Sequence, residues 1–189
     1  MIILPSPEFV KMLHDSLIEY YSSSKDPDII MARGYNYEGA IDNTLNEDQI
    51  DYFFKQRVKK EPTTHLVTAY IFQSMCAGQG FNDGNKRTAL LVAFYTLCWN
   101  GYKFIIPDEA VDFTSQLADA RVDTDFFKVV DWLKRHSRLS LVNLIRHLLI
   151  RFFIDVQDTT STSAQYFLDM LFLPSMPPYL RFGRKEKSS

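Results

Sequence analysis

From residue 79 to residue 88 the chain reads Gln79, Gly80, Phe81, Asn82, Asp83, Gly84, Asn85, Lys86, Arg87, Thr88. An acid, glycines and two bases gathered in so short a run, directly before an apolar segment, have the chemistry of a phosphate site. Asp-Gly-Asn alone is more often an ordinary turn; the full string is what carries the reading. Residues 88–99 are almost all apolar and stop at Asn100-Gly101, a pair that commonly closes a helix in the left-handed conformation. The loop therefore opens a buried helix. Backbone N–H groups in a first helical turn lack intrahelical partners and carry the positive end of the macrodipole, which makes Gly84, Asn85 and Lys86 a natural anion cradle. Asp83 would repel a phosphate unless a divalent cation lay between them. Such a carboxylate points to Mg²⁺, which binds through one or two carboxylates plus substrate phosphates. A Walker A loop is excluded, because it needs four residues between its glycines, then Lys-Ser/Thr, and follows a strand. Phe81 reads as an apolar plug that anchors the loop to the core.

Residues 81–88 resemble the signature of the Fic/Doc family, His-x-Phe-x-[Asp/Glu]-Gly-Asn-[Gly/Lys]-Arg, and Lys86 is similar to the Doc, or death-on-curing, branch. The resemblance runs over residues 5–136, with a helical segment at 64–77, the buried helix after the motif, and Asp131-Trp132-Leu133-Lys134-Arg135-His136 in the usual order. It implies an all-α Fic/Doc-like helical domain with at most a small β-hairpin flap, for which residues 55–63 are the candidate by position. It also implies a toxin-like transferase that uses Mg²⁺ and ATP, as co-substrate, to modify a protein hydroxyl by phosphorylation or nucleotidylation. On that basis Asp83 would hold the metal, and Asn82, Gly84, Asn85, Lys86 and Arg87 would bind the nucleotide. Asp83, Lys86 and Arg87 would form the catalytic set, with Gln79 at the family's histidine position. A forked guanidinium at Arg87 suits charge developing on the transferred group or on the leaving phosphates. Lysine at position 86 follows the kinase-like branch directed at a translation factor, while glycine there goes with nucleotidyl transfer; both transfers stay open. An inhibitory [Ser/Thr]-x-x-x-Glu-[Gly/Asn] segment is not evident, since Glu38-Gly39 is preceded at the hydroxyl position by Gly34. A separate antitoxin chain is then the expected inhibitor.

Gln79 departs from the family pattern where it matters most. Its amide has no accessible pKa and takes no proton from a hydroxyl. The expectation is a loop that binds nucleotide and turns over poorly, or a non-catalytic nucleotide- or protein-binding pseudoenzyme. A natural pseudoenzyme and a deliberate replacement in a toxic protein explain the residue equally well. His14 and His65 are the alternative bases, and nothing in the sequence brings either ring to Gln79.

Positioning this loop takes a core. With 189 residues, 46% of them hydrophobic and 14% aromatic, the chain is expected to be one domain with or without an appendage. A net charge of −2 supplies no basic field for nucleic acid. Cys76 and Cys98 fall in apolar helical surroundings and read as buried free thiols, and the start of the chain lacks the basic residues of a signal peptide. A cytoplasmic protein without a membrane span is the expectation, with oligomerisation open. His14, His65, His136 and His147 show no zinc spacing.

The pattern predicts a first helix opened by Ser6-Pro7-Glu8 and ending by residues 22–24, with turns at Asp26-Pro27 and Arg33-Gly34. Short helices follow around Ala40-Ile41 and over residues 50–58. After an extended piece at 102–107, Asp108 and the run 123–125 are the expected caps of two further helices. Ser140 opens an amphipathic helix whose stripe is Leu141, Leu144, Ile145, Leu148, Leu149, Phe152, Phe153 and Val156. The resulting division is a Fic/Doc-like domain at 5–139, a C-terminal helical extension at 140–173, and a disordered basic tail at 174–189. Within it, 158–163 is a polar linker and 164–173 a last helix. Core packing or a partner explains the 140–156 stripe.

Overall fold

Helix α5, Asn85–Trp99, is the centre of the architecture: from Thr88 to Trp99 every residue except Leu90 is buried. A helix apolar on all sides has to be enclosed by other elements. A computed structural model describes residues 2–22, 34–37, 39–119 and 125–156, with side chains of the last helix as far as Leu149. Ahead of α5 in the chain come α1 (Pro7–Ser22), α2 (Gly39–Leu45), α3 (Glu47–Phe53) and α4 (Thr64–Ala77). Behind it come β1 (Tyr102–Phe104), α6 (Ala110–Ala118), α7 (Phe126–Arg135), β2 (Ser137–Leu139) and α8 (Leu141–Val156). The molecule is all-α apart from the two short strands, as expected for a Fic/Doc-like helical fold.

Local chemistry sets these elements. Ser6 Oγ accepts from Phe9 N at 3.2 Å, Thr63 Oγ1 from Leu66 N at 3.4 Å, and Asp125 Oδ1 from Phe127 N at 3.0 Å, so α1, α4 and α7 each begin at a side-chain cap. The α1 face carrying Phe9, Val10, Leu13, Leu17 and Ile18 is buried, with Phe9 against the Tyr95 and Trp99 rings of α5. On the other side α4 lies along α5, and α6 and α7 close over α4 through Phe72, Phe113 and Trp132. Cys76 and Cys98 are buried free thiols, pushed up to about 12 and about 11 by desolvation, so both stay protonated.

Two sequence expectations are corrected. Residues 55–63 form no hairpin: Phe54–Val58 is a π-helical turn, ended by Lys59 at φ +53°, whose N–H donates to Phe54 O at 2.7 Å. As far as Val58 the chain continues α3, and residues 59–63 form the link to α4 without pairing as a strand. Among the described residues the one sheet is instead β1 paired antiparallel with β2, Lys103 opposite Arg138. Asp108 also caps nothing, because α6 starts at Ala110, after Glu109, whose carboxylate lies 3.2 Å from His136 Nε2. The expected turn at Asp26-Pro27, Arg33, Glu38, Asp123-Thr124, the 158–163 linker, the 164–173 helix and the 174–189 tail all lie outside the described residues. So do the side chains of Phe152, Phe153 and Val156. Among the described residues no helix is long and apolar enough to cross a membrane.

The far end of α5 is tied to the chain's first residues. Asn100 Oδ1 accepts from Ile3 N at 2.9 Å, and its Nδ2 donates to Ile3 O at 2.8 Å and Thr96 O at 2.7 Å, all buried. Asn100→Ala strands these groups, and leaving a buried donor or acceptor unpaired costs about 1–3 kcal/mol. Denaturant unfolding of the variant is expected to show a loss in that range with an unchanged m value; a loss below about 0.5 kcal/mol would remove this tie from the fold's stabilising contacts.

Candidate functional site

The loop between α4 and α5 is held in a single shape by backbone pairing on both flanks. After α4 the chain turns through Gln79 at φ +43°, a left-handed conformation that side-chain-bearing residues seldom adopt. Residues 80–82 then run antiparallel to residues 34–37: Asn36 N and Tyr37 N donate to Gly80 O at 3.0 and 3.4 Å, and Asn82 N donates to Gly34 O at 3.0 Å. The strand-like element beside the motif is thus residues 34–37. Asn85 clamps the loop from the helix side, its Oδ1 accepting from Phe81 N at 2.9 Å and its Nδ2 donating to Phe81 O at 2.8 Å. Its side chain is thereby a structural staple of the loop.

Gly84, at φ +76°, is the residue before α5 and contributes no side-chain cap. Its N–H donates to Asp83 Oδ1 at 2.5 Å, so the cradle at the helix start rests on the amides of Asn85, Lys86 and Arg87. The helix opens into a cleft of about 900 Å³. Gln79, Asn82, Asp83, Gly84, Asn85, Lys86 and Arg87 all line it, so the structure brings every candidate residue of the sequence reading to one place. Lys86 Nζ sits 3.4 Å from Ser115 Oγ on α6, and the Arg87 guanidinium lies 4.6 Å over the Tyr21 ring on α1. The second contact holds a flexible side chain across the cleft by cation–π attraction. Tyr21, Cys76, Ser115 and Asp119 are lining residues the sequence reading missed. They come from α4, α1 and the α6 region, and no local motif marks them.

His14 does not reach the cleft; it lies behind the loop. It is 1% exposed, stacks on the Phe81 ring with centroids 3.7 Å apart and planes 14° apart, and places Nδ1 3.2 Å from Thr88 Oγ1 in the first turn of α5. Phe81 is the buried plug expected, and His14 is the surface it plugs into. His65 is farther still, its Nε2 2.8 Å from Ser137 Oγ. Neither histidine is among the residues lining the cleft.

Residues 4–97 match the model of the Fic/DOC family. No curated protein matches the chain. The Fic/DOC segment contains the whole loop and ends inside α5, so α6, which supplies the opposite wall of the cleft, lies beyond it. The match suggests transferase-type activity on proteins.

Among the described residues no group of three or more His, Cys, Asp or Glu side chains could hold a metal by itself. Asp83 is the one carboxylate in the loop and Asp119 the other that lines the cleft, and one or two carboxylates fit Mg²⁺ only in company with phosphate oxygens. The donor set therefore fits a cation that arrives with a nucleotide.

Burial lowers the His14 pKa below its ordinary 6.5, against smaller upward pulls from Asp15 and Asp83. The folded state thus favours the neutral ring, while the unfolded chain takes up the proton near pH 6.5. The stability due to this ring is full above pH 6.5 and falls as pH drops toward the lower folded value. His65 is lowered as well, first by burial and then by Lys134, and adds a slope of the same sign. Urea unfolding between pH 7.5 and 5 is expected to show declining stability, with His14→Gln flattening that decline; an identical slope in the variant would remove His14 from the account.

Proposed function

We propose that the chain binds Mg²⁺ with a nucleoside triphosphate at the 79–88 loop as a Fic/DOC-type transferase fold for protein hydroxyls, and that Gln79 keeps its turnover low. The observation that carries this reading is the single cleft in which Asp83, Lys86, Arg87 and the uncapped start of α5 surround Gln79. Amides at the helix start hold phosphate oxygens, with the dipole in their favour. Lys86 and Arg87 set two cations beside the same oxygens, and a charge-assisted contact of this kind is stronger than a neutral one. Asp83 would hold the cation that accompanies the nucleotide, which would offset phosphate charge. Catalysis of such a transfer rests mainly on positioning and electrostatics.

Gln79 supplies what its chemistry allows. Its amide can orient an incoming hydroxyl by a hydrogen bond, yet it accepts no proton as the hydroxyl attacks. Gln79 lines the cleft from a left-handed backbone conformation, a kind of strain that clusters at functional sites. Lys86 favours phosphoryl transfer of the Doc type, since an ammonium beside the helix start attracts a further phosphate. The second reading, a nucleotide-binding module without chemistry, is favoured by Gln79 itself.

Isothermal titration with Mg²⁺-ATP tests the site. The protein is expected to bind, and Arg87→Ala to bind about ten- to a hundred-fold more weakly, the range for one charge-assisted contact. Equal binding by both, or none by either, would sink the placement.

Gln79→His tests the chemistry. Supplying a positioned base is expected to raise protein labelling from radioactive ATP by about 10²–10⁴-fold. Label from the γ-phosphate alone indicates phosphoryl transfer, and label from the α-phosphate alone nucleotidyl transfer. Nucleotide binding without labelling in either form leaves the module reading standing.

A further inference from the structure

Helix α8 is mounted with its polar side inward. Facing α5, Asn143 Nδ2 donates to Tyr102 O at 2.7 Å, His147 Nδ1 donates to Trp99 O at 2.9 Å, and Leu144 Cδ1 packs 3.4 Å from where a Cβ on Gly101 would stand. These contacts take a carbonyl at the end of α5 and one of β1, and fix the rotation of α8 about its axis. The apolar stripe consequently points away from the core. Leu141, Val142, Ile145, Leu148 and Leu149 are 74%, 59%, 50%, 57% and 41% exposed, and Leu139 of β2 extends the patch at 70%. Their spacing of three and four residues makes one continuous face with no charged side chain in it. A face of this kind marks a surface that something covers.

We propose that its occupant is the segment 164–173 of this same chain, which lies outside the described residues, folded back antiparallel along α8. The first argument is reach. Residues 157–163 join the two, a link that extends to about 23 Å and falls within the usual lengths of helix–helix connections; α8 itself is about 24 Å long. The second argument is composition. The segment carries Tyr166, Phe167, Leu168, Met170, Leu171 and Phe172, more apolar surface than a lone helix of that length could keep in water, where short helices are marginal. The third argument is competition. A segment tethered by so short a link sees the α8 face at an effective concentration in the millimolar range, far above that of a second copy at micromolar protein.

The test uses the full chain carrying Leu148→Cys, in which Cys76 and Cys98 stay silent because they are 3% and 5% exposed. Labelling of the introduced thiol by a maleimide is expected to be about ten-fold or more slower than in the same chain with Phe167→Asp and Leu171→Asp, while sedimentation reports a monomer. Equally fast labelling in both chains overturns the proposal, because the face is then bare. Slow labelling that ignores the two aspartates, in a protein that sediments as a dimer, overturns it in favour of a second copy. Continued silence of Cys76 and Cys98 reports that the aspartate chain remains folded. Should that chain unfold, Leu148→Cys paired with Leu171→Cys decides: an intrachain bridge on mild oxidation supports the proposal, and an interchain bridge or none overturns it.

Discussion

The constraint on which everything else depends is that α5 has no polar side. Thr88 to Trp99 is buried on nearly every face, so α1, α4, α6 and the β1 and α8 region must each present apolar or hydrogen-bonding surface to it. Only the helix ends are left to do anything polar. At the C-terminal end, carbonyls of Thr96, Trp99 and Tyr102 are taken by Asn100, His147 and Asn143. At the N-terminal end Gly84 leaves the amides without a side-chain cap, and the cleft forms there. The site is therefore a by-product of the core: enclosing the helix fixes where its positive pole emerges.

The loop's rigidity has a separate origin. Asn85 grips both the N–H and the C=O of Phe81, the 34–37 segment pairs with the other edge, and His14 backs the Phe81 ring from below. The anion-facing groups thus sit on a backbone held from three sides before any ligand arrives. Preorganisation of that kind is what lets electrostatic stabilisation act without reorganisation. Tyr21 extends the same logic to Arg87, a long side chain held over a ring.

The 79–88 loop and the helix after it were legible because both are written locally: glycine, acid and bases in one run, then an unbroken apolar stretch. The capping residues Ser6 and Asp125 were legible for the same reason, whereas the Thr63 cap of α4 was hidden in the stretch read as a flap, and residues 4–97 carry the family match. What could not be read is set by partners distant in sequence. Residues 34–37 have no strand pattern and acquire one only by meeting residues 80–82. The flap expected at 55–63 rested on position alone, and the helical propensity of α3 carried the chain past it as a π-turn. Tyr21 and Ser115 were invisible as site residues, because a tyrosine at the end of an amphipathic helix and a serine within another look the same wherever they point. For α8 the amphipathic rule gave the stripe and left core packing and a partner both open, and the structure turns Leu141, Val142, Ile145, Leu148 and Leu149 outward. The unsatisfied carbonyls of α5 outcompeted the apolar face for contact with the core.

The pairing of β1 with β2 joins Tyr102–Phe104 to Ser137–Leu139, so the stretch carrying α6 and α7, which packs over α4, begins and ends at neighbouring points. Such an excursion is closed at its neck. Since α6 forms the cleft wall opposite the loop and follows the neck, the short β1–β2 pair anchors that wall beside the far end of α5, while the loop stands at the near end.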